Sequence, residues 1–476
     1  MSQLSNATVG KLVRKALKAW TQFSEATAEN SMADLLLVKQ QLVNKLTISE
    51  YERRLAANTI LNTAAERLRQ ENPEEADILK ARYMDNATIE ATAEQFNVSE
   101  DTISRRQKSA TDKVIKIVYG METAARDAAI KEAQGGLAQP TYTKLFGVAE
   151  TLEILKAELL KPSEPWIVAV VGIGGLGKTA VTDKLAREMI GTFHFHQVLW
   201  VRVESAISLS GRINPEQAYN TVVSELFAAV YPDAPALPQK EMAKRLHLAF
   251  RARPYLVIID NLEEEAAISY LVAQLQNFIN PSKFVLTTRA RPAGQGAVFS
   301  HLLEDLNQAD TADLLRYHAR ERNLQIFAQA TDDNLAAIFE VTGGNPFALK
   351  LVIGLLERLP LKRVLEALRV GQGEKVAGMY ERIYKKAWEI LSEEARAILL
   401  MMPAVSTKSG APAEMLQMMS GLDDQQFWAA LNELISRSLM EVRHQSMDEV
   451  FYGVHALTET FVRTSIVQLR EGTSEL

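Results

Sequence analysis

One stretch constrains this chain more than any other. Six apolar residues, Trp166 to Val171, are largely β-branched and too few for a helix, so they read as a buried strand. The residues that follow, Gly172, Ile173, Gly174, Gly175, Leu176, Gly177, Lys178 and Thr179, fit G-x-x-x-x-G-K-[ST]. From Lys178 through Ala180 to Ile190 the spacing predicts a helix that Gly191 ends. Strand, glycine loop and helix in that order make a phosphate cradle. Glycines let backbone N–H groups curl around phosphate oxygens, and the positive end of the helix dipole faces the anion. In such a cradle Lys178 contacts the β- and γ-phosphates, and the Thr179 hydroxyl sits on Mg²⁺.

The same letters hold a rival pattern. Gly172, Gly174 and Gly177 also spell G-x-G-x-x-G, the dinucleotide fingerprint, and Glu204 follows a later strand where a ribose-binding acid belongs. On that alternative the protein is a dinucleotide-dependent oxidoreductase. The Lys178–Thr179 pair favours the phosphate loop, provided a metal-binding Asp lies further along the chain.

The chain has 476 residues, enough for several domains, and is 47% hydrophobic and 24% charged, as in ordinary globular proteins. A net charge of −6 argues against a protein that coats nucleic acid or a membrane, but leaves room for a local basic face. The absence of cysteine removes disulfides, thiolate metal sites and cysteine nucleophiles together. No apolar run reaches membrane-spanning length and the start lacks a signal-peptide core, so a cytoplasmic location without membrane contact is expected.

Residues 1–134 read as helical throughout. Val13, Leu17 and Trp20 form an amphipathic stripe, and Asn72-Pro73-Glu74-Glu75 is a strong helix start leading to Ile78, Leu79 and Tyr83. Within 75–119, Ala93, Phe96, Val98 and Ile103 close a small core around a tight turn. Asn97 suits a left-handed conformation there, and Ser99 caps the next helix. That is helix-turn-helix grammar, and it resembles the last DNA-binding region of bacterial sigma factors. Arg105, Arg106 and Lys108, with Lys113 and Lys116, are candidates for phosphate or base contacts. Glu100, Asp101 and Asp112 share their helix, so a helical adaptor that binds a protein partner is the other reading.

Gln134 to Pro140 breaks the helical pattern and marks a linker at 135–140. Beyond the phosphate loop come strands at Gln197 to Val203, Tyr255 to Ile259 and Lys283 to Thr288, with helical stretches between the first two. Such alternation predicts an α/β domain over 141–300, a parallel sheet with helices on both faces. The second of these segments ends in Asp260 and Asn261, which supplies the acid that the loop requires, able to hold Mg²⁺ through water. The next ends in Arg289, placed to contact a γ-phosphate. From about His301 the chain reads as helical. Gly343-Gly344-Asn345-Pro346 ends one helix and caps another within a helical domain at 301–370. Residues 371–476 read as three helices, a hairpin and a last helix opened by His455, a winged-helix pattern without a basic recognition helix. His194 and His196 form an H-x-H pair with no third metal ligand nearby, which a turn before a strand explains.

Taken in series, these motifs resemble the NB-ARC branch of the STAND nucleotide-dependent switches over residues from about 141 to 465. The resemblance implies that Phe146 and Val148 lie near the adenine, that Gly172 to Ala180 hold the phosphates, and that Asp260 is the metal-side acid. It also implies that Arg289 senses the γ-phosphate, that Pro346 lies on the base, and that His455 reaches the β-phosphate of ADP. The implied function is a switch, closed with ADP and open with ATP and Mg²⁺, in which the open form self-associates and a signal leaves through the N-terminal region. A nucleotide-gated transcription regulator is the alternative. Three departures bear on this. Val148 replaces an arginine common in relatives, Asn261 stands where a hydrolase places a glutamate base, and no repeat array follows His455. An amide cannot take a proton from water, so slow hydrolysis is expected unless Glu263 or Glu264 serves instead. On that reading the signal arrives through the N-terminal region, a partner or another surface.

Overall fold

The computed structural model describes residues 5–20, 32–42, 49–203, 214–262, 264–292, 298–324, 330–369, 376–405, 410–444 and 449–462. The chain divides into two compact units, residues 1–135 with 191–193, and residues 136–190 with 194–476.

The first unit is helical: α1 (Asn6–Lys18), α2 (Leu36–Gln41), α3 (Glu50–Glu71), α4 (Pro73–Leu79), α5 (Ile89–Phe96) and α6 (Glu100–Gly135). Val13, Leu17, Leu61, Leu68, Val114 and Val118 meet in its core, which holds α1, α3 and α6 together. Asn72 caps α4 through the amide of Glu75, and one π turn, Lys80–Met84, follows that helix. A second small cluster of Ile78, Ala93 and Ile103, with Phe96 and Val98 against it, closes the helix-turn-helix. Asn97 takes the left-handed conformation at φ 51°, and Ser99 accepts from the amide of Thr102. The second helix of the motif does not stop near Tyr119. It spans 36 residues in all, from Glu100 to Gly135, and no proline interrupts its hydrogen-bond ladder.

Glu122 is fully buried on α6. Its carboxylate accepts from the amides of Leu36 and Leu37 at 2.9 and 3.1 Å, and from Arg126 Nε at 2.7 Å. A charge removed from water in this way is stable only when fully hydrogen-bonded, and here it supplies the N-terminal cap that the sequence of α2 lacks.

The second unit opens with α7 (Ala149–Leu160), followed by β1 (Ile167–Val171), α8 (Lys178–Ile190) and β2 (Gln197–Arg202). Then come α9 (Pro215–Val230), α10 (Gln239–Ala252), β3 (Tyr255–Leu262), α11 (Glu265–Leu275), β4 (Lys283–Thr288) and β5 (Val298–Leu302). The five strands are parallel, in the order β2-β3-β4-β1-β5. β5 extends the sheet into a stretch that reads as helical; it pairs with β1 from Val298 to Leu302, and the first helix after it begins at Gln308. β1 is flanked by β4 and β5, not by β2. In the dinucleotide fold the first two strands are neighbours, so this order excludes that rival.

One face of the sheet packs Leu199, Val201, Val257, Ile259, Phe284 and Leu286 against α9, α10 and α11. Successive strand residues point to opposite faces, so Arg202, Asp260 and Thr287 lie on the other face. Lys283 is buried at the start of β4, where its ammonium donates to the carbonyls of Glu158, Ser163 and Pro165 at 2.8, 3.1 and 3.1 Å. Burial pushes it down to about 8. It fixes the approach of the chain into β1.

The helical segment comprises α12 (Gln308–Glu321), α13 (Asp332–Thr342), α14 (Pro346–Leu356) and α15 (Leu361–Arg369). The winged-helix segment has α16 (Val376–Glu389), α17 (Glu393–Val405), β6 (Ala411–Pro412), α18 (Ala413–Ser420) and α19 (Asp424–Ser436). It ends with β7 (Glu441–His444), β8 (Val450–Gly453) and α20 (Ala456–Phe461). α18 and the short β6 add to the expected three helices and hairpin, giving a three-stranded sheet in the order β6-β8-β7. Both segments share one hydrophobic core running from Leu314 and Val352 through Ile398 to Leu431 and Val462. Arg322 ties them further, donating to Ser438 Oγ at 2.7 Å, to Glu357 and to the carbonyl of Ser436. No helix among the described residues is long and apolar enough to cross a membrane.

Candidate nucleotide-binding site

The glycine loop joins β1 to α8 at the carboxyl edge of the sheet, where an open α/β fold places ligands. Its start is anchored to β4, since the Gly172 amide donates to the Thr288 carbonyl at 3.1 Å. Gly175 and Gly177 take φ values of 84° and 87°, which side chains resist, and a Cβ on Gly172 would meet Leu176 at 2.8 Å. Gly174 completes the turn, Leu176 is buried beneath it, and Ala180 lies in the first turn of α8. Lys178 Nζ donates to the carbonyls of Gly172 and Ile173 at 2.7 and 2.9 Å, which holds the ammonium over the loop.

Thr179 Oγ1 donates to Asp260 Oδ1 and Oδ2 at 2.9 and 3.2 Å. The buried hydroxyl of Thr287 donates to the same carboxylate at 2.6 Å while accepting from the Asn261 amide at 2.8 Å. A hydroxyl and a carboxylate in contact beside the loop are oxygen donors of the kind that would hold Mg²⁺ with a nucleotide. The residues therefore fit a Mg²⁺–nucleotide, which Thr179 and Asp260 would hold between them.

Asn261 sits in a bulge between β3 and β4 at φ 70°, and its amide group donates to the Val203 carbonyl at 3.1 Å. That side chain serves as a structural donor. Arg289 follows β4 directly, exposed at the same sheet edge as the loop. Glu204 and Glu263 lie outside the described residues, and Glu264 precedes α11.

The base-side residues converge through backbone. A Cβ on Gly147, at φ 65°, would meet Leu306 at 2.8 Å and Asp310 at 2.9 Å. The Leu306 amide donates to the Gly344 carbonyl at 3.0 Å, and Asn345 Oδ1 caps α14 through the amides of Phe347 and Ala348. The Phe347 amide reaches the Gly175 carbonyl at 3.2 Å, so the first turn of α14 touches the phosphate loop. Pro346 is the first residue of that helix. Phe146 tilts against Tyr317 on α12, with centroids 5.5 Å apart and Lys144 over its face. Val148 begins α7, its carbonyl accepting from Leu152.

His455, at the start of α20, stacks on the ring of Phe347. It keeps partial access to solvent, yet burial pushes its pKa down to about 4. Glu441 opposes the shift, and Arg202, Lys350 and Lys178 add to it, so His455 lies within electrostatic reach of the loop lysine. The structure thus groups Gly172 to Ala180, Asp260, Pro346 and His455 around one turn, with Arg289 at the same edge. Phe146 and Val148 pack toward α12 and α7. Sequence reasoning missed Thr287 and Arg202; both read as strand residues, and only pairing register places them beside Asp260. His194 and His196 precede β2, the latter edge-on to Tyr255.

In the first unit, Arg106 is paired with Glu74, and Lys113 with Glu75 at 2.8 Å. Arg105 and Lys108 are exposed and make no ion pair among the described residues.

A parallel sheet in this order, with a glycine loop opposite an acid on β3, defines the P-loop NTPase fold. The sequence matches the NB-ARC domain family over residues 148–325 and the sigma-70 region 4 family over residues 71–115. The chain therefore carries an NB-ARC domain at 148–325 and a sigma-70 region 4 segment at 71–115. It is 22% identical over 281 residues to a putative disease resistance RPP13-like protein 2 of Arabidopsis thaliana, covering 55% of this chain and 32% of that one. Disease resistance protein RGA2 of Solanum bulbocastanum is 23% identical over 268 residues, 54% of this chain and 26% of the relative. The chain thus spans a third or less of the length of these relatives. A STAND protein with a tetratricopeptide repeat sensor from Pyrococcus horikoshii aligns over 69% of this chain and 43% of its own, at 19% identity and a TM-score of 0.44.

Proposed function

We propose that this chain is an ADP/ATP-dependent signalling switch, in defence or a related response. ADP holds the winged-helix segment against the phosphate loop through His455, and ATP with Mg²⁺ releases it so that opened protomers self-associate. The observation that carries this reading is the continuous contact from His455 through Phe347 to the Gly175 carbonyl. A ligand biases two arrangements only through different affinity for each, and a terminal phosphate added beside that contact provides such a difference. Lys178 and Arg289 would neutralise the phosphates, Thr179 and Asp260 would hold the ion, and Pro346 would lie on the base. Asn261 donates to Val203 and offers no base for water, which supports slow turnover and a long-lived ATP state.

The test is to denature protein purified under mild conditions, identify the released nucleotide by chromatography, and measure particle mass before and after ATP incubation. ADP in the resting protein and a larger particle after exchange are expected. Absence of adenine nucleotide, with a mass that Lys178→Ala leaves unchanged, overturns the reading.

A second reading, nucleotide-gated DNA binding, draws support from exposed Arg105 and Lys108 on a helix within the sigma-70 region 4 match. Paired Arg106 and the acidic start of α6, Glu100 and Asp101, weigh against it. It requires salt-sensitive duplex binding that falls in Arg105→Ala/Lys108→Ala. No binding at low salt in either nucleotide state rejects it and leaves a protein partner for this unit.

A further inference from the structure

Arg202 ends β2, one strand beyond the acid that faces the phosphate loop. Its Cα pairs in register with Asp260, and the neighbouring Val201 and Leu199 point into the opposite core, so Arg202 and Asp260 share a face. That face carries α8, whose Thr179 hydroxyl already touches Asp260. The guanidinium is partly exposed and has no hydrogen bond or ion pair to any described residue. A cation at the edge of a sheet, beside a carboxylate it does not pair with, is placed for an anion that arrives from outside. It also lies near enough to His455 to help keep that ring neutral.

The position selects which anion. The loop on β1 would hold the inner phosphates of a nucleotide, and Thr179 and Asp260 would hold the ion that neutralises its outer charge. With the ion beside Asp260, the terminal phosphate would lie on the β3 side of the loop. Arg202 would approach that end from the next strand, with Arg289 just after β4 on the other side. We infer that Arg202 binds the γ-phosphate of a nucleoside triphosphate and sets the preference of the site for triphosphate over diphosphate. Its guanidinium would offer two parallel N–H donors to two terminal oxygens, a geometry lysine cannot reproduce. The inference rests on the nucleotide-switch reading and adds a residue to it. Nothing in the sequence signals it: an arginine closing an apolar strand reads as a solvent-facing end.

The test uses the full chain stripped of nucleotide. Affinities for Mg²⁺–ADP and for the Mg²⁺ complex of a non-hydrolysable ATP analogue are measured by calorimetry in wild type, Arg202→Gln and Arg202→Lys, with melting curves as a folding control. Arg202→Gln should weaken the triphosphate by about tenfold or more, the scale of one charge-assisted hydrogen bond, and leave ADP within about threefold. Arg202→Lys should fall between the two. An unchanged ratio of the two affinities in folded Arg202→Gln overturns the role given to Arg202 and leaves the switch reading standing. A wild type that binds neither nucleotide overturns both.

Discussion

His455 and Phe347 lie ring on ring, 4.0 Å between centroids and 23° between planes. The amide of the same Phe347 donates to Gly175 in the phosphate loop. One residue therefore joins the winged-helix segment to the loop. Phe347→Leu keeps apolar volume and the backbone contact but removes the stack. It should raise the fraction of large particles formed without added ATP, as read by light scattering after size separation. A particle distribution identical to wild type, with nucleotide still bound, would show that the stack does not restrain the winged helix.

His455 also predicts a pH response. Its folded pKa of about 4 lies below the ordinary value of 6.5, so the folded protein favours the neutral ring. The stability tied to that preference is fully present above pH 6.5 and is lost as pH falls toward 4. His318, pushed to about 4 by burial with help from Lys350 and Arg322, acts in the same window, over a smaller background from His196 and His301. His455→Gln should flatten part of the fall in melting temperature between pH 6.5 and 4 and leave the His318 part. Parallel curves for the two proteins would contradict the assignment.

Thr287 gives Asp260 its shortest hydrogen bond, at 2.6 Å inside the sheet. Thr287→Val leaves that carboxylate oxygen one donor poorer, at a cost of about 1–3 kcal/mol. Melting should fall accordingly, and the Mg²⁺ concentration needed for half-maximal nucleotide affinity should rise. Thr287→Ser should restore most of both, and a serine variant no better than valine would point to packing instead.

Glu122→Gln removes a buried charge that closes the end of α2 from 86 residues away in sequence. It leaves Arg126 without its buried partner, and loss of one member of such a pair costs about 3–5 kcal/mol. Hydrogen exchange should speed up at the amides of Leu36 and Leu37. Protection equal to wild type at both amides would mean that water caps the helix equally well.

Much of this architecture is written in local chemistry. β1 is an unbroken apolar run, β3 and β4 carry apolar runs at Tyr255 to Ile259 and Phe284 to Leu286, the loop glycines have one physical purpose, and Asn97 and Asn345 sit where a left-handed turn and a helix cap need them. The less legible parts depend on distant partners. β5 reads Val298, Phe299, Ser300, His301, Leu302, an edge strand with little burial and no clear alternation, and it became a strand only by pairing with β1. Glu122 looks like any solvent-facing helix acid until α2 is folded onto it. The loop and Asp260 stand out as motifs, whereas Thr287 and Arg202 acquire meaning only from the strand beside them.

The first turn of α14 has a consequence for how such a protein can vary. Asn345 fixes the turn, Pro346 opens the helix, and Phe347 meets both the loop and the winged helix within three consecutive positions. Whatever free energy a nucleotide spends in favouring one arrangement of the winged helix, that arrangement returns to nucleotide affinity in equal measure. In the proposed switch both effects pass through one helical turn, so sensitivity and restraint could not be adjusted separately there. A chain that needs a looser trigger at unchanged affinity must alter residues elsewhere, such as the Arg322 contacts with Ser436 and Ser438.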